Sequence, residues 1–422
     1  MDSVAITLPG SGAKFQFHVP ARNLGEVLSP AAVPAPADPQ TLVRRALTEP
    51  IGCVPLAEMI KPGQRLLIVV DDITRTTPTR EIIPVLLDYL TELGCRAENI
   101  TFGLALGAHR PMTSAEIEWK LGRDVARRFP VINTPAQHQE AFFDTQQSWA
   151  DVPIEVHRAV IEADIVIGVG SVVPHADVGW SGGAKIILPG MCSDRTVNEN
   201  HFLAAAFPEN LLGRETTPIR ENMEAVVDLI GLDYILNVVM TPAGDITAVM
   251  GGHFVAAQRA AVRAARAIFS VPFKERYEIV VANAYPKDID FWQSSMAVWA
   301  GELMVKPGGV VILNAPCREG VGPHPEFLWL MGLQAEEVID AVNRGQLTDK
   351  SMAAEVLQMA RMLQHMRLTL VTTSLNEVEV RDVGFGYFAS LQEAVDAHLA
   401  EAGPEARIGV LTHGGYTYPV QN

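Results

Sequence analysis

The 422-residue chain is short of cysteine and of positive charge. Its four cysteines, Cys53, Cys95, Cys192 and Cys317, form no C-x-x-C pair. That spacing argues against the usual zinc and iron–sulfur signatures and against a disulfide framework. Lys and Arg number 33 against 49 Asp and Glu, a formal net charge of -16. Nucleic acid is gripped by a basic face, so it is not the expected partner. No stretch approaches the roughly 20 apolar residues that span a bilayer. The opening MDSVAITLPG lacks the charged-then-apolar pattern of a secretory leader. The expectation is a cytoplasmic protein with reduced thiols and no membrane partner. Two nucleotide signatures are missing as well. There is no G-x-x-x-x-G-K-[ST], and no G-x-G-x-x-G follows the first predicted strand; GVGSVV after a later strand is only a partial match.

What is present is an ample core. Hydrophobic residues make up 48% of the chain and charged ones 19%, and the length exceeds that of one ordinary domain. Buried apolar runs pass repeatedly into helical periodicity, the βα signature of a mostly parallel sheet. RLLIVVDD, NITFGLALG and ADIVIGVGSV read as strands in the first half, and YEIVVANAY, GGVVILNAP and LTLVTTS in the second. Pro78 suits a first helical position with Thr77 as the cap before it. Thr113 and Glu116 make a capping box. The Ala/Arg-rich stretch after Gly251 reads as a long connecting helix. The expected fold is α/β: two α/β domains with mostly parallel sheets and a cleft between them. Residues 1–265 form the first domain and 266–407 the second, with the strand-like segment 408–422 returning to the first.

Ligands of open α/β sheets gather at the carboxyl ends of the strands. Asp71, Asp72, Thr74, Arg75, His109, Arg110 and His175 all follow predicted strands. One such residue is more often part of a solvated loop; three strands delivering them together point to a site. Arg75 can grip a carboxylate in bidentate fashion and Asp72 can orient it, although Asp and Thr also suit strand ends and caps. In GWSGGAKIILPG, Gly182 and Gly183 lack the Cβ atoms that hold a backbone off a ligand, and their N–H groups can form an anion nest; a plain turn is the competing reading. Lys185 lies two residues beyond, an amine that could anchor a cofactor covalently. His201 follows Asn200; a lone histidine there is commonly a packing residue and gains meaning from its companions.

These residues resemble the nickel-dependent lactate racemase family of 2-hydroxy acid racemases and epimerases. The matching text is DDITR, GAHRPMT, PHADVGWSGGAKIILPG, the Asn-His pair at 200 and 201 and, more weakly, YPKDIDFWQ. The resemblance implies a nickel pincer nucleotide, a pyridinium mononucleotide with two thio-acyl arms, attached through Lys185. His201 would complete the nickel coordination, which suits imidazole and nickel(II). Asp72, Gly182 and Gly183 would line the cofactor site. His109 and His175 would be the paired acid and base, and Arg75, Gln293, Trp292 and Met296 would position the substrate. The implied reaction moves hydride from C2 and back, through a planar keto acid. The implied partners are a small 2-hydroxy acid and the proteins that make and load the cofactor.

The family carries a lysine where this chain has Met296 and a tyrosine where it has Trp292. Loss of that cation points away from lactate, towards a different or bulkier 2-hydroxy acid such as a sugar acid or an aromatic one. The loop CREGVGPHPEF bears on that choice, with His324 expected at the surface. Three other readings remain open: a nicotinamide-dependent 2-hydroxy acid oxidoreductase, a non-catalytic homologue, and a hydrolase with zinc or iron on a histidine cluster.

Overall fold

The computed structural model describes residues 2–34, 38–149 and 151–422. Two six-stranded sheets organise it. The first runs Ile246–Gly252, Tyr234–Met240, Ile165–Ser171, Leu66–Asp71, Ile100–Ala105, Val131–Ile132; all neighbours are parallel except the antiparallel pair at the Ile246 edge. The second runs Gly386–Phe388, Arg367–Val371, Val305–Asn314, Tyr277–Asn283, Ile408–Leu411, Leu24–Leu28, and is wholly parallel. The central strands are Val-, Ile- and Leu-rich because both faces are covered; all six residues of Leu66–Asp71 are buried. This is the α/β class read from the sequence, with two layered halves.

Strand order fixes where the chemistry gathers. The chain leaves Leu66–Asp71 for Ile100–Ala105 on one side and Ile165–Ser171 on the other. The crevice opened by that reversal lies beyond the carboxyl ends. Those ends carry Asp71 and Asp72, then the loop to His109, then the segment to His175. In the second sheet the chain likewise reverses around Tyr277–Asn283; the loop that follows carries Lys287, and the short helix Phe291–Ser294 after it carries Trp292 and Gln293.

Four sequence expectations change. Residues 408–411 do not return to the first sheet; they sit inside the second, between Tyr277–Asn283 and Leu24–Leu28. The chain's opening residues also belong there. The hairpin of Ser3–Gly10 and Ala13–Pro20 lays Ile6, Leu8, Phe17 and Val19 on the back of the second sheet, because that face would otherwise be wet. Thr77 is not a helix cap: Pro78 takes that position before Thr79–Glu92, and the Thr77 hydroxyl donates to Asp71 instead. Finally, Ala256–Phe269 is more than a connector, since its Ala257, Ala261, Val262 and Ala265 stripe is buried and the helix packs on the first sheet. Thr113 and Glu116 do form the expected capping box.

The halves meet through two helices, Asp194–Ala204 and Lys350–Leu363. Ser193 caps the first by accepting from the Thr196 amide, and Asp349 caps the second through the Met352 amide. Asn198 Oδ1 accepts from the Ser351 amide at 2.9 Å, and Lys350 Nζ pairs with Glu199 at 2.5 Å. Among the described residues no helix is long and apolar enough to cross a membrane.

Candidate active site

The turn after the first strand is built from the inside out. Lys120 is fully buried, 2.7 Å from Asp71 Oδ1, and its Nζ donates to the Arg75 carbonyl at 2.8 Å. The two contacts pin both ends of the DDITR segment. Asp72 Oδ1 accepts from the Thr74 amide and hydroxyl at 3.1 and 2.6 Å, and Oδ2 lies 2.7 Å from His109 Nδ1. Burial alone raises the Asp72 pKa, but the His109 and Arg75 charges and the Thr74 hydroxyl outweigh it and hold the carboxyl well below its usual range. A carboxylate fixed on Nδ1 makes that nitrogen the donor, so His109 presents Nε2 as the free edge.

His175 is held in the opposite sense. The Asp177 amide donates to its Nδ1 at 3.3 Å; a backbone N–H can only donate, so the neutral ring carries its proton on Nε2. Burial first, then the Lys185, Lys287 and Arg75 charges, push the His175 pKa well below its ordinary value. The Asp177 carboxylate stands 3.9 Å from Nδ1.

The Lys185 amine has neither a hydrogen-bond nor an ion-pair partner among the described residues, and burial with the Arg75 charge pushes it down to about 7. His201 Nδ1 lies 2.9 Å from Ser351 Oγ across the two halves, which leaves Nε2 without a protein partner among the described residues. Burial, then Lys185 and His109, lower His201 to about 3, so the ring is neutral and able to ligate. Arg75 Nη1 donates to Thr74 Oγ1 at 3.0 Å and to Gln293 Oε1 at 3.2 Å, also across the halves.

One cleft collects these groups. Asp72, Arg75, His109, His175, Gly182, Lys185 and His201 line it from the first half, and Trp292, Gln293 and Met296 from the second. It offers about 1150 Å³ free of protein atoms, its open mouth included. Three expectations meet a different geometry. Gly183 is not in the lining and gives its amide to Asn237 Oδ1 at 2.9 Å, so that N–H is not offered to an anion. A Cβ on Gly182 would strike Asn237 and Val172, and one on Gly183 would press on Gln258, with both residues at positive φ; protein packing demands the pair. His324 is not a surface residue: its ring packs against Trp292, tilted by 44° at 4.4 Å, and its Nδ1 pairs with Asp349 at 2.7 Å. The loop carrying it reaches the cleft only through Trp292, which Phe327 also braces at 4.7 Å. Arg110 turns outward to Glu116. Among the described residues no three His, Cys, Asp or Glu side chains converge as a metal site.

Several lining residues escaped sequence reasoning. Lys287 stood inside YPKDIDFWQ without being singled out, and Asp177 inside PHAD. Glu355 and Ser351 lie on a helix whose buried residues are otherwise apolar; an acid on such a face was the signal.

The comparisons with known proteins cover both halves of the chain. Residues 10–213 match the lactate racemase N-terminal domain and 274–416 the lactate racemase C-terminal domain. The chain is 28% identical over 424 residues to a lactate racemase of Thermoanaerobacterium thermosaccharolyticum, covering 97% of each, and 26% identical to one of Lactiplantibacillus plantarum, covering 97% of this chain and 98% of that one. The structure of the Thermoanaerobacterium lactate racemase apoprotein superposes with a TM-score of 0.89 at 26% identity, covering 99% of this chain and 100% of that one. A Thermotoga maritima protein shares the fold at TM-score 0.73 and 21% identity, covering 91% and 98%. With both domain models matched in order over most of its length, the chain belongs to the lactate racemase family, a family of isomerases that act on a 2-hydroxy acid.

Proposed function

We propose that this protein inverts C2 of a 2-hydroxy acid other than lactate, using a nickel pincer nucleotide held by Lys185 and His201. The observation that carries the reading is the meeting of two oppositely oriented histidines, a free guanidinium edge and an unpartnered amine in one cleft. The cofactor fits what lines that cleft. Lys185 is a buried amine with no protein partner among the described residues, about half neutral near pH 7 and so able to form a covalent link. His201 has one nitrogen engaged by Ser351 and the other free, the usual arrangement of a ligating imidazole. When bound, the group would supply a hydride acceptor that can return the hydride to either face of the substrate carbon.

The chain's own residues do the rest. Arg75 keeps Nη2 and Nε free of protein partners among the described residues and can clamp the substrate carboxylate with them, while Gln293 holds its Nη1. His109 Nε2 takes the alcohol proton, and the Asp72 carboxylate stabilises the imidazolium that results. His175 serves the opposite enantiomer once its neutral ring moves the proton from Nε2 to Nδ1, beside the Asp177 carboxylate, which frees Nε2 to take the alcohol proton. A positioned acid or base typically contributes about 10²–10⁴ in rate. Met296 and Trp292 offer no cation to the substrate, which is why lactate is disfavoured. Closure of the halves through Arg75–Gln293 and His201–Ser351 would exclude water from the hydride. We place the enzyme in the cytoplasm, where cofactor-synthesis proteins would load it.

The test is intact-protein mass and nickel analysis on protein co-expressed with those synthesis proteins, followed by a screen of 2-hydroxy acids for inversion. A nucleotide-sized adduct on Lys185, stoichiometric nickel and inversion are expected. An unmodified Lys185 without nickel, from a host that loads a known racemase, overturns the reading.

A further inference from the structure

Two groups in the cleft have no part in the chemistry above. Lys287 and Glu355 both line it from the second half, and both are more than nine-tenths buried. The Lys287 amine makes no hydrogen bond or ion pair among the described residues; its Nζ has only the Tyr416 ring at 6.0 Å. Glu355 accepts from Ser295 Oγ through Oε1 at 2.8 Å, and its Oε2 has no partner among the described residues. Burial, then the Asp177 charge, raise Glu355 to about 8, so at neutral pH it is mainly a carboxylic acid able to donate as well as accept. Burial, then Arg75 and Lys185, lower Lys287 to about 7, leaving an amine that also donates and accepts.

Buried polar groups left unpaired select against ligands that cannot meet them. A methyl or alkyl tail beyond C2 would desolvate both groups and satisfy neither. A second carboxylate could meet Lys287 but would face the Asp177 carboxylate beside it. A cationic tail would face Lys287, Lys185 and Arg75. A neutral hydroxyl both donates and accepts, and matches an amine–acid pair. Resting on the function proposed above, we infer that Glu355 and Lys287 bind the distal hydroxyls of a polyhydroxylated 2-hydroxy acid, an aldonic acid, and so determine specificity.

The experiment uses loaded holoenzyme and compares kcat/KM for a series of aldonic acids with that for unbranched alkyl 2-hydroxy acids. The best aldonic acid is expected to exceed every alkyl acid. Glu355→Ala and Lys287→Ala should each cut that preference about 10–100-fold, with the Lys185 adduct and nickel content unchanged, and Glu355→Gln, which still donates and accepts, should restore most of it. Inversion of alkyl acids alone overturns this inference and leaves the proposed function standing. Loss of the adduct or nickel in the Ala variants overturns it too, because the pair then serves the cofactor. Holoenzyme that inverts no 2-hydroxy acid overturns the proposed function and this inference with it.

Discussion

Oδ2 of Asp72 lies 2.7 Å from Nδ1 of His109, and that contact decides which edge of the imidazole faces the cleft. The carboxylate is nearly inaccessible to solvent and is held ionised by the charges and hydroxyl around it. Asp72→Asn keeps the shape but removes the charge that stabilises the ring once it takes a proton. Turnover should fall about 10²–10⁴-fold, while nickel content and the Lys185 adduct stay at parental levels. Racemisation rates on matched, fully loaded samples decide it. A rate within a few-fold of the parent removes the carboxylate from the mechanism.

The Lys185 amine should behave unlike any surface lysine. With its pKa near 7, reaction of cofactor-free protein with a small acylating reagent should be half-maximal around neutral pH. An ordinary lysine is half-deprotonated only near 10.4. Peptide mass spectrometry across a pH series reads this directly. Linkage gives a second reading: the folded state binds fewer protons at Lys185 than the unfolded chain between about 7 and 10.5. That group therefore adds stability as pH rises through the window. A Lys185 labelling profile that tracks the surface lysines would remove the basis for a pre-activated amine.

Ser351 joins the halves at the proposed metal ligand. Its hydroxyl on His201 Nδ1 at 2.9 Å orients the ring, and such outer partners typically account for about 10–100-fold in metal affinity. Ser351→Ala should lose nickel by about that factor when holoprotein is dialysed against a competing chelator. The ring's own protonation sets the pH sense. His201 is lowered to about 3 in the fold against 6.5 for an ordinary histidine. Unfolded chain thus binds the extra proton first, and stability falls as pH drops below about 6.5. Replacing His201 with Gln should flatten that limb of an acid-unfolding curve.

Much of the site was legible because it sits at strand ends. DDITR, GAHRPMT and PHADVGWSGG each follow a run of buried apolar residues, and such runs announce themselves by composition. What could not be read was which sheet a run joins. Leu24–Leu28 and Ile408–Leu411 lie far apart in sequence yet pair in the second sheet, and nothing local to either segment encodes the other. The strands Tyr234–Met240 and Ile246–Gly252 were missed although the first is wholly buried, since short apolar runs do not distinguish strand from helix. Glu355 and Ser351 were invisible for a related reason: their helix looks like ordinary core packing until Asp194–Ala204 is set against it. His324 was misplaced because a Pro- and Gly-rich loop suggests solvent, whereas Trp292 covers its ring.

Lys120 is the residue on which the architecture of the Arg75 turn depends. Its side chain is fully enclosed, with Asp71 as ion-pair partner and the Arg75 carbonyl as acceptor. Removing one member of a buried pair leaves the other charge uncompensated, at a typical cost of about 3–5 kcal/mol. Lys120→Met should therefore lower unfolding stability by that order in urea titration, and loosen Arg75 enough to raise KM for the substrate. The double variant Lys120→Met with Asp71→Leu should be less damaging than the two single losses added together, because no orphaned charge remains. If Lys120→Met alone stays within about 0.5 kcal/mol of the parent, the range of ordinary surface substitutions, the pair does not hold the turn. The order of Arg75 must then come from Thr74 and Gln293 instead.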